Sequence, residues 1–302
     1  MPRYTMRQLE YLVAAAEHKS VAKAAAALHV SQPSVSTAIA KLEDQLGVQL
    51  LVRHHALGIS LTRAGERLVS EGRNLLRHAG ELERQARRAG GEISGTLNLA
   101  SFVTLAPAFL PGLIAGFKEQ YPQVNIGITE ATQNDLFNGL RQARFELALL
   151  YDVSLPADIH AVPLATQAPH VLLPRGHNLA KQKTISLKSL AAFDMILLDV
   201  PPSREYFLGL FRAYGLEPNV ALSSSSLELV RGLVGRGLGF SLLITRPYGD
   251  KTYDGEGLVV RPISEGVEPG RIVLARSVNL RPTRLMATFE EFCTSFFDGE
   301  GS

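Results

Sequence analysis

The sequence predicts an α/β protein that begins with an all-α module carrying a small wing, continues through one long helix, and ends in a large two-lobed remainder. Three observations lead there. Before Gly47, apolar residues recur at three- and four-residue spacing in three short blocks. From Leu61 to Ala89 the spacing becomes heptad-like. From Thr96 onward, strand-like apolar runs alternate with helical ones, the grammar of α/β layers. The 302 residues are enough for two or three domains, and 46% hydrophobic content excludes disorder as the main state.

Thr5 and Gln8 make a capping-box pattern for the first helix, whose apolar face is Met6, Leu9, Leu12, Val13 and Ala16. Ser20 caps a second helix that packs Val21, Ala24, Ala25 and Leu28. Ser31 caps a third, with Pro33 in its first turn and Gly47 as its stop. Its inner face is Val35, Ile39, Leu42 and Leu46. Only His29-Val30 links the second and third helices, so they cross steeply as a helix-turn-helix. Val48 to Val52 and Ile59 to Leu61 then flank a basic turn that includes His54, His55, Ala56 and Leu57. This reads as a two-stranded wing with Gly58 in the turn.

Thr62 opens the long helix. Leu61, Ala64, Leu68, Leu75, Ala79, Leu82, Ala86 and Ala89 form its seam, with Gly72 at one seam position. That pattern points to a coiled-coil contact with a second chain; the alternative is a helix packed on its own domain. Gly90, Gly91 and Gly95 break the helix as a hinge. Beyond it, strands are expected at Leu97 to Ala100, Val124 to Ile128, Leu147 to Tyr151, His170 to Leu173, Met195 to Val200 and Ile272 to Ala275. Helices are expected at Ala108 to Tyr121, Asp135 to Gln142, Glu205 to Tyr214, Ser226 to Arg236 and Arg284 to Phe297. The sheet should be largely parallel, and the length favours two α/β halves with a cleft between them. The expected division is 1–61, 62–90 and 91–302.

Charge is divided unevenly. Residues 1–90 carry 13 Lys and Arg against 8 Asp and Glu, a net +5, while the rest is net −3. A basic N-terminal third on an acidic remainder suits an anionic partner at one end only. In a helix-turn-helix the N-terminal residues of the second helix lie nearest the base edges. Here those are Gln32, Pro33, Ser34, Ser36 and Thr37. Gln bonds an adenine edge, and Ser and Thr donate or accept. Arg53, His54 and His55 on the wing suit phosphate or minor-groove contact, and Lys41 and Arg63 suit phosphate; each also reads as solvated surface charge. Double-stranded DNA is therefore the expected partner.

These residues resemble the LysR-type transcriptional regulators. The resemblance rests on Ser20 with Ala24-Ala25, Ser31 to Ser36, Leu42-Glu43 with Leu46-Gly47, Arg53, and Leu61-Thr62 with Gly65. It continues more loosely through Gly95-Thr96-Leu97, Tyr121 to Val124 and Gly235 to Phe240. Departures are Val21 for an aromatic, Ala22 for the usual threonine, an atypical insert at 54–58, Thr37 where Arg is frequent, and Glu146 for a common aspartate. Thr37 loses a bidentate guanine reader. The resemblance implies a winged helix-turn-helix, a dimerising linker helix and a periplasmic-binding-protein-like effector domain. It places lobe I at about 91–163 and 267–302 and lobe II at about 164–266, with crossings near Pro163 and Gly266. It also implies dimers of dimers (a homotetramer), DNA bending, and contact with RNA polymerase.

The expected effector cleft lies at strand ends and helix N-termini. Candidate contacts are Ser101, Phe102, Thr104, Thr132, Gln133, Pro202, Ser203, Arg204, Ser224 and Thr245. Hydroxyls, free helix N–H groups and Arg204 favour a carboxylate or another small anion. Ser203 and Ser225 also read as N-caps, the latter in a capping box with Glu228. Phe102, Phe207 and Phe240 are either apolar walls or core.

Rival classes have little to stand on. Gly239 to Leu243 is no nucleophile elbow, and Gly235 to Gly239 lacks the dinucleotide spacing. His170 and His177 lack a third metal ligand, so no metal, no cofactor and no enzyme activity are expected. A solute-binding module with a minor DNA role is the alternative, and the basic N-terminus argues against it. A peroxide sensor of the same family needs two cysteines, and only Cys293 is present. No apolar run approaches a membrane span and MPRYTMRQLEYL is not a signal peptide, so a cytoplasmic location is expected and no membrane partner.

Overall fold

The computed structural model describes residues 4–54, 58–87 and 93–300. His55, Ala56, Leu57, Ala89, Gly90 and Gly91, named above for the wing turn, the seam and the hinge, lie outside these, as does the Ala86 side chain.

The N-terminal module is built from α1 (Met6–His18), α2 (Val21–Ala27), α3 (Gln32–Leu46) and the antiparallel wing β1 (Leu51–His54) and β2 (Gly58–Leu61). Its caps are local. Thr5 and Gln8 close a reciprocal capping box, Ser20 accepts from Lys23 N, Ser31 accepts from Ser34 N, and Gly47 ends α3 in the left-handed region. The turn between α2 and α3 runs from Leu28 to Ser31, two residues wider than expected, because Leu28 and Ser31 serve as caps. Leu12, Ala24, Val35, Ile39, Leu42 and Leu50 make a shared core, each at most 1% exposed.

The motif residues have structural work of their own. Glu43 Oε1 accepts from Leu50 N at 2.6 Å and Leu51 N at 3.0 Å, which pins the wing to α3. Thr62 donates to Gln49 O and accepts from Gly65 N. A Cβ at Gly65 would lie 2.1 Å from Leu50 O, so only glycine lets the long helix start against the wing.

That helix, α4 (Arg63–Arg87), spends only the first part of its seam inside the chain. Leu61, Ala64 and Leu68 pack on the N-terminal core, and Gly72 sits against Leu9 and Val13 of α1. Leu75 and Leu82 stay exposed at 40% and 68%.

The first lobe is formed by β3 (Gly95–Phe102), α5 (Ala106–Gln120), β4 (Val124–Ala131), α6 (Gln133–Arg141), β5 (Leu147–Tyr151) and β6 (Ile159–Gln167). The second comprises β7 (His170–Pro174), a 3₁₀ turn (Asn178–Lys181), α7 (Leu187–Leu190), β8 (Asp194–Leu198), α8 (Ser203–Arg212), β9 (Asn219–Ser224), α9 (Leu227–Gly235), β10 (Ser241–Leu243) and β11 (Leu258–Pro262). The chain then returns through β12 (Gly270–Ser277) and α10 (Arg284–Glu300) to the first lobe.

The sheets are mixed, not largely parallel. In the first lobe the order is β4-β3-β5-β12-β6, and β12 runs antiparallel to both β5 and β6 because it re-enters from the other lobe. In the second, β8 and β9 are parallel, while β7 is antiparallel to β10 and β11. Pro163 is not at the crossing. It pairs with Val273 inside β6, an edge strand with an irregularity at that point, where a missing N–H is tolerated. The chain leaves the first sheet only after Gln167, through Ala168-Pro169. Gly266 lies between Pro262 and Gly270, on the return. One continuous apolar core runs through both lobes.

Candidate nucleic-acid interface and effector cleft

Burial of Val35, Ile39 and Leu42 fixes which side of α3 faces out. Pro33, Thr37 and Lys41, at four-residue spacing, lie on the opposite side and are exposed. Gln32 and Ser34 are exposed as well, and Ser36 is half-buried. Ser34 is not free: its hydroxyl shares a 2.7 Å hydrogen bond with Ser31. The wing joins this surface, since Arg53 Nη1 donates to Ser36 Oγ at 3.4 Å. His54 Nε2 lies 2.7 Å from Ser60 Oγ across the wing. Arg63 is exposed at the start of α4. The result is one polar, cation-bearing surface made of α3 and the wing.

The cleft between the lobes is lined by Thr104, Tyr151, Leu198, Ser203, Phe207, Leu227, Leu243, Ile244 and Thr245. Its free volume is about 10 Å³, no more than one water needs, so the lobes are closed on each other. Tyr151 Oη and Thr245 Oγ1, one from each lobe, hydrogen-bond at 2.7 Å across it. Burial pushes the Tyr151 phenol up to about 12, against the opposing effect of its hydrogen bonds with Thr245 and Thr104.

Of the ten expected effector residues, Thr104, Ser203 and Thr245 line this cleft. The others are placed elsewhere. Ser101 and Phe102 are fully buried; Ser101 donates to the Phe102 carbonyl, and Phe102 packs edge-on against Tyr151. Thr132 donates to Asp135, and Gln133 Nε2 donates to the Tyr151 and Val153 carbonyls. Pro202 stands at the N-cap of α8, which makes Ser203 the first helical residue and not a cap. Ser224 accepts from Ser226 N. The cap of α9 is Ser226, accepting from Leu229 N, and not Ser225. Of the three aromatic candidates Phe207 is a wall, whereas Phe102 and Phe240 are core.

The expected anion preference is not what this lining supports. Arg204 Nη1 is held by Asp199 at 2.7 Å, no cation lines the cleft among the described residues, and Asp199 and Glu205 already put carboxylates near the start of α8. Hydroxyls and aliphatic walls remain. The sequence reading missed Tyr151, Leu198, Leu227, Leu243 and Ile244. The signal for Tyr151 was its position as the last residue of a clear strand run, a polar tip at a strand's carboxyl end.

Among known proteins, residues 6–66 match the family model of the bacterial regulatory helix-turn-helix protein, lysR family, and residues 90–298 match the LysR substrate binding domain. The chain is 32% identical over 239 residues to the DNA-binding transcriptional dual regulator OxyR of Escherichia coli K12, covering 79% of this chain and 78% of that protein. It is 44% identical to the solved HinK, a LysR family transcriptional regulator from Pseudomonas aeruginosa, with a TM-score of 0.67 over 97% of this chain and 98% of the other. CbnR in complex with its target DNA is 26% identical, with a TM-score of 0.58 over 97% of this chain and 99% of the other.

Proposed function

Because the chain belongs to the LysR family of DNA-binding transcriptional regulators, we propose that α3 and the wing read an operator and that closure of the lobe cleft around an effector controls the outcome. The observation that carries the DNA reading is the Arg53–Ser36 bond, which makes wing and helix a single docking surface. Gln32, Pro33, Ser36 and Thr37 read base edges; Lys41, Arg53, His54 and Arg63 meet phosphate. Ser34 keeps a lesser role because its hydroxyl is engaged by Ser31. Two copies pair through the free half of the α4 seam, Leu75, Ala79 and Leu82, and pairs assemble into dimers of dimers on DNA. RNA polymerase is the expected further contact.

The effector in this reading is a small neutral molecule that carries hydrogen-bonding groups. Thr104, Ser203, Tyr151 and Thr245 supply hydroxyls to it, and Phe207, Leu198 and Leu227 supply apolar wall. An anion has no cation to meet there. The coupling requires that the effector bind the open and closed lobes with different affinity.

The chain is also 32% identical over 239 residues to the hydrogen peroxide-inducible genes activator of Pectobacterium carotovorum. Thiol-based sensing does not suit this chain. Its single cysteine, Cys293, is fully buried in α10, and burial, reinforced by Glu290, raises the thiol far from its thiolate form. Among the described residues no helix is long and apolar enough to cross a membrane.

Selection of genomic fragments by the full-length protein at physiological salt, followed by footprinting, tests the regulator reading. A short inverted repeat protected over several helical turns supports it. Failure to enrich any fragment over random DNA, with and without a metabolite library, would leave the solute-binding module as the better reading.

A further inference from the structure

A second concavity lies outside the cleft, at the crossing between the lobes. It has a volume of about 300 Å³, within the range of small-molecule sites. Gln167 to His170, the first crossing, forms one side. Val260 and Pro262, from the strand that precedes the return crossing, form another, and Ile244 and Arg246 the third. All three segments adjoin places where the chain changes lobes or follows a strand of the cleft wall.

The groove's polar groups are unspent. His170 is only 7% exposed, yet its Nε2 has no hydrogen-bond partner among the described residues. With the Ala168 backbone favouring a protonated ring nitrogen and Nε2 unpartnered, we assign the proton of the neutral imidazole to Nδ1, which leaves Nε2 as an acceptor. Burial, with Arg246 and Arg231 nearby, keeps the ring neutral at pH 7. The Gln167 Oε1 is a second acceptor without a partner among the described residues. Arg246 is exposed and has no ion-pair partner among the described residues. No carboxylate lines the groove. A buried acceptor that is left unpaired costs free energy, and a ligand hydroxyl would satisfy it.

We propose that this hinge groove binds a small hydroxy-carboxylate, whose carboxylate pairs with Arg246 and whose hydroxyl donates to His170 Nε2. Pro169, Val260 and Pro262 supply its apolar walls. Ile244 belongs to both sites, lining the cleft on one side and the groove on the other. Occupancy of the hinge therefore bears directly on the packing of the cleft. The cation that the cleft lacks is found here, so the two sites take ligands of different charge.

The test uses full-length protein labelled with ¹⁵N-histidine, titrated at pH 7 with mandelate and with phenylacetate, which lacks the hydroxyl. His170→Gln identifies the His170 signal. Mandelate should shift the His170 Nε2 resonance, with affinity at least about tenfold better than phenylacetate. Arg246→Ala should weaken mandelate about tenfold or more, and Thr104→Val in the cleft should leave it unchanged. The proposal is overturned if neither mandelate nor glycolate moves the His170 signal up to about 10 mM, if Arg246→Ala binds mandelate as before, or if Thr104→Val abolishes the shift.

Discussion

Arg77 on the long helix and Glu146 at the start of the strand β5 meet at 2.6 Å across the boundary between the DNA-binding and effector regions. The Glu146 side chain is 3% exposed and also accepts from Asn98 N at 2.7 Å. Beside this pair, Ser70, Arg73 and Arg77 donate to the carbonyls of Arg141, Gln142 and Ala143 at the end of α6. Those carbonyls are the negative pole of a helix and have no partners within it. The long helix thus completes the first lobe while it carries the DNA-binding module. Glu146→Ala would take the counter-charge from a largely buried guanidinium and the acceptor from an amide N–H, at a cost of roughly 3–5 kcal/mol. Urea unfolding measures it; a loss below about 0.5 kcal/mol would mean that the contact is not formed in solution.

Gln32 and Arg53 should fail in different ways. Gln32→Ala should reduce discrimination between operator and random DNA by about 1–3 kcal/mol, with the salt dependence nearly intact. Arg53→Ala should weaken binding to all sequences and lower the salt slope by about one. Equal losses for Gln32→Ala on specific and random DNA would remove it from the base-reading set.

His170 makes stability depend on pH. Burial, then Arg246, press its pKa from 6.5 down to about 4 in the folded chain, and unfolding restores the ordinary value. Above about pH 6.5 the ring is neutral in both states, and below about 4 it is charged in both. Between them the unfolded chain binds the extra proton, so stability falls as pH falls through that window, by roughly 3 kcal/mol from this group. His170→Gln should flatten that segment of the stability–pH curve. An unchanged slope between pH 6.5 and 4 in the variant would assign the loss to other groups.

How much of this was legible depends on how local each feature is. The N-terminal module is written in caps and spacings within a few residues, and Thr5, Gln8, Ser20, Ser31 and Gly47 all act as their positions indicate. The strands β6, β9, β10 and β11 went unread for physical reasons. The edge strand β6 carries Pro163 and little alternation, β9 is mostly exposed, β11 is mostly half-exposed, and β10 is three residues long. Four serines in a row offered equal caps for α9, and only the approach of Leu229 N to Ser226 decided among them. Glu146 could not be interpreted from sequence because its partner, Arg77, sits 69 positions earlier on another element. The cleft failed the same way: its lining comes from β5, β8, α8 and the end of β10, and the Asp199 that occupies Arg204 is invisible to pattern.

Leu82 gives the sharpest test of self-association. The first half of the α4 seam is spent inside the chain on α1, but Leu82 is 68% exposed and Leu75 is 40% exposed. A leucine that already faces water contributes little to the fold of one chain, so Leu82→Glu should change monomer stability by no more than about 0.5 kcal/mol. In a paired coiled coil the same change places two like charges on one seam, where both lose water. Sedimentation should then show a smaller assembly at micromolar concentration. Operator affinity should fall as well, because two recognition helices no longer bind as one unit and each half-site is met alone. Single half-site binding should be unaltered. An assembly of unchanged size in both Leu82→Glu and Leu75→Glu would move the dimer contact off this helix.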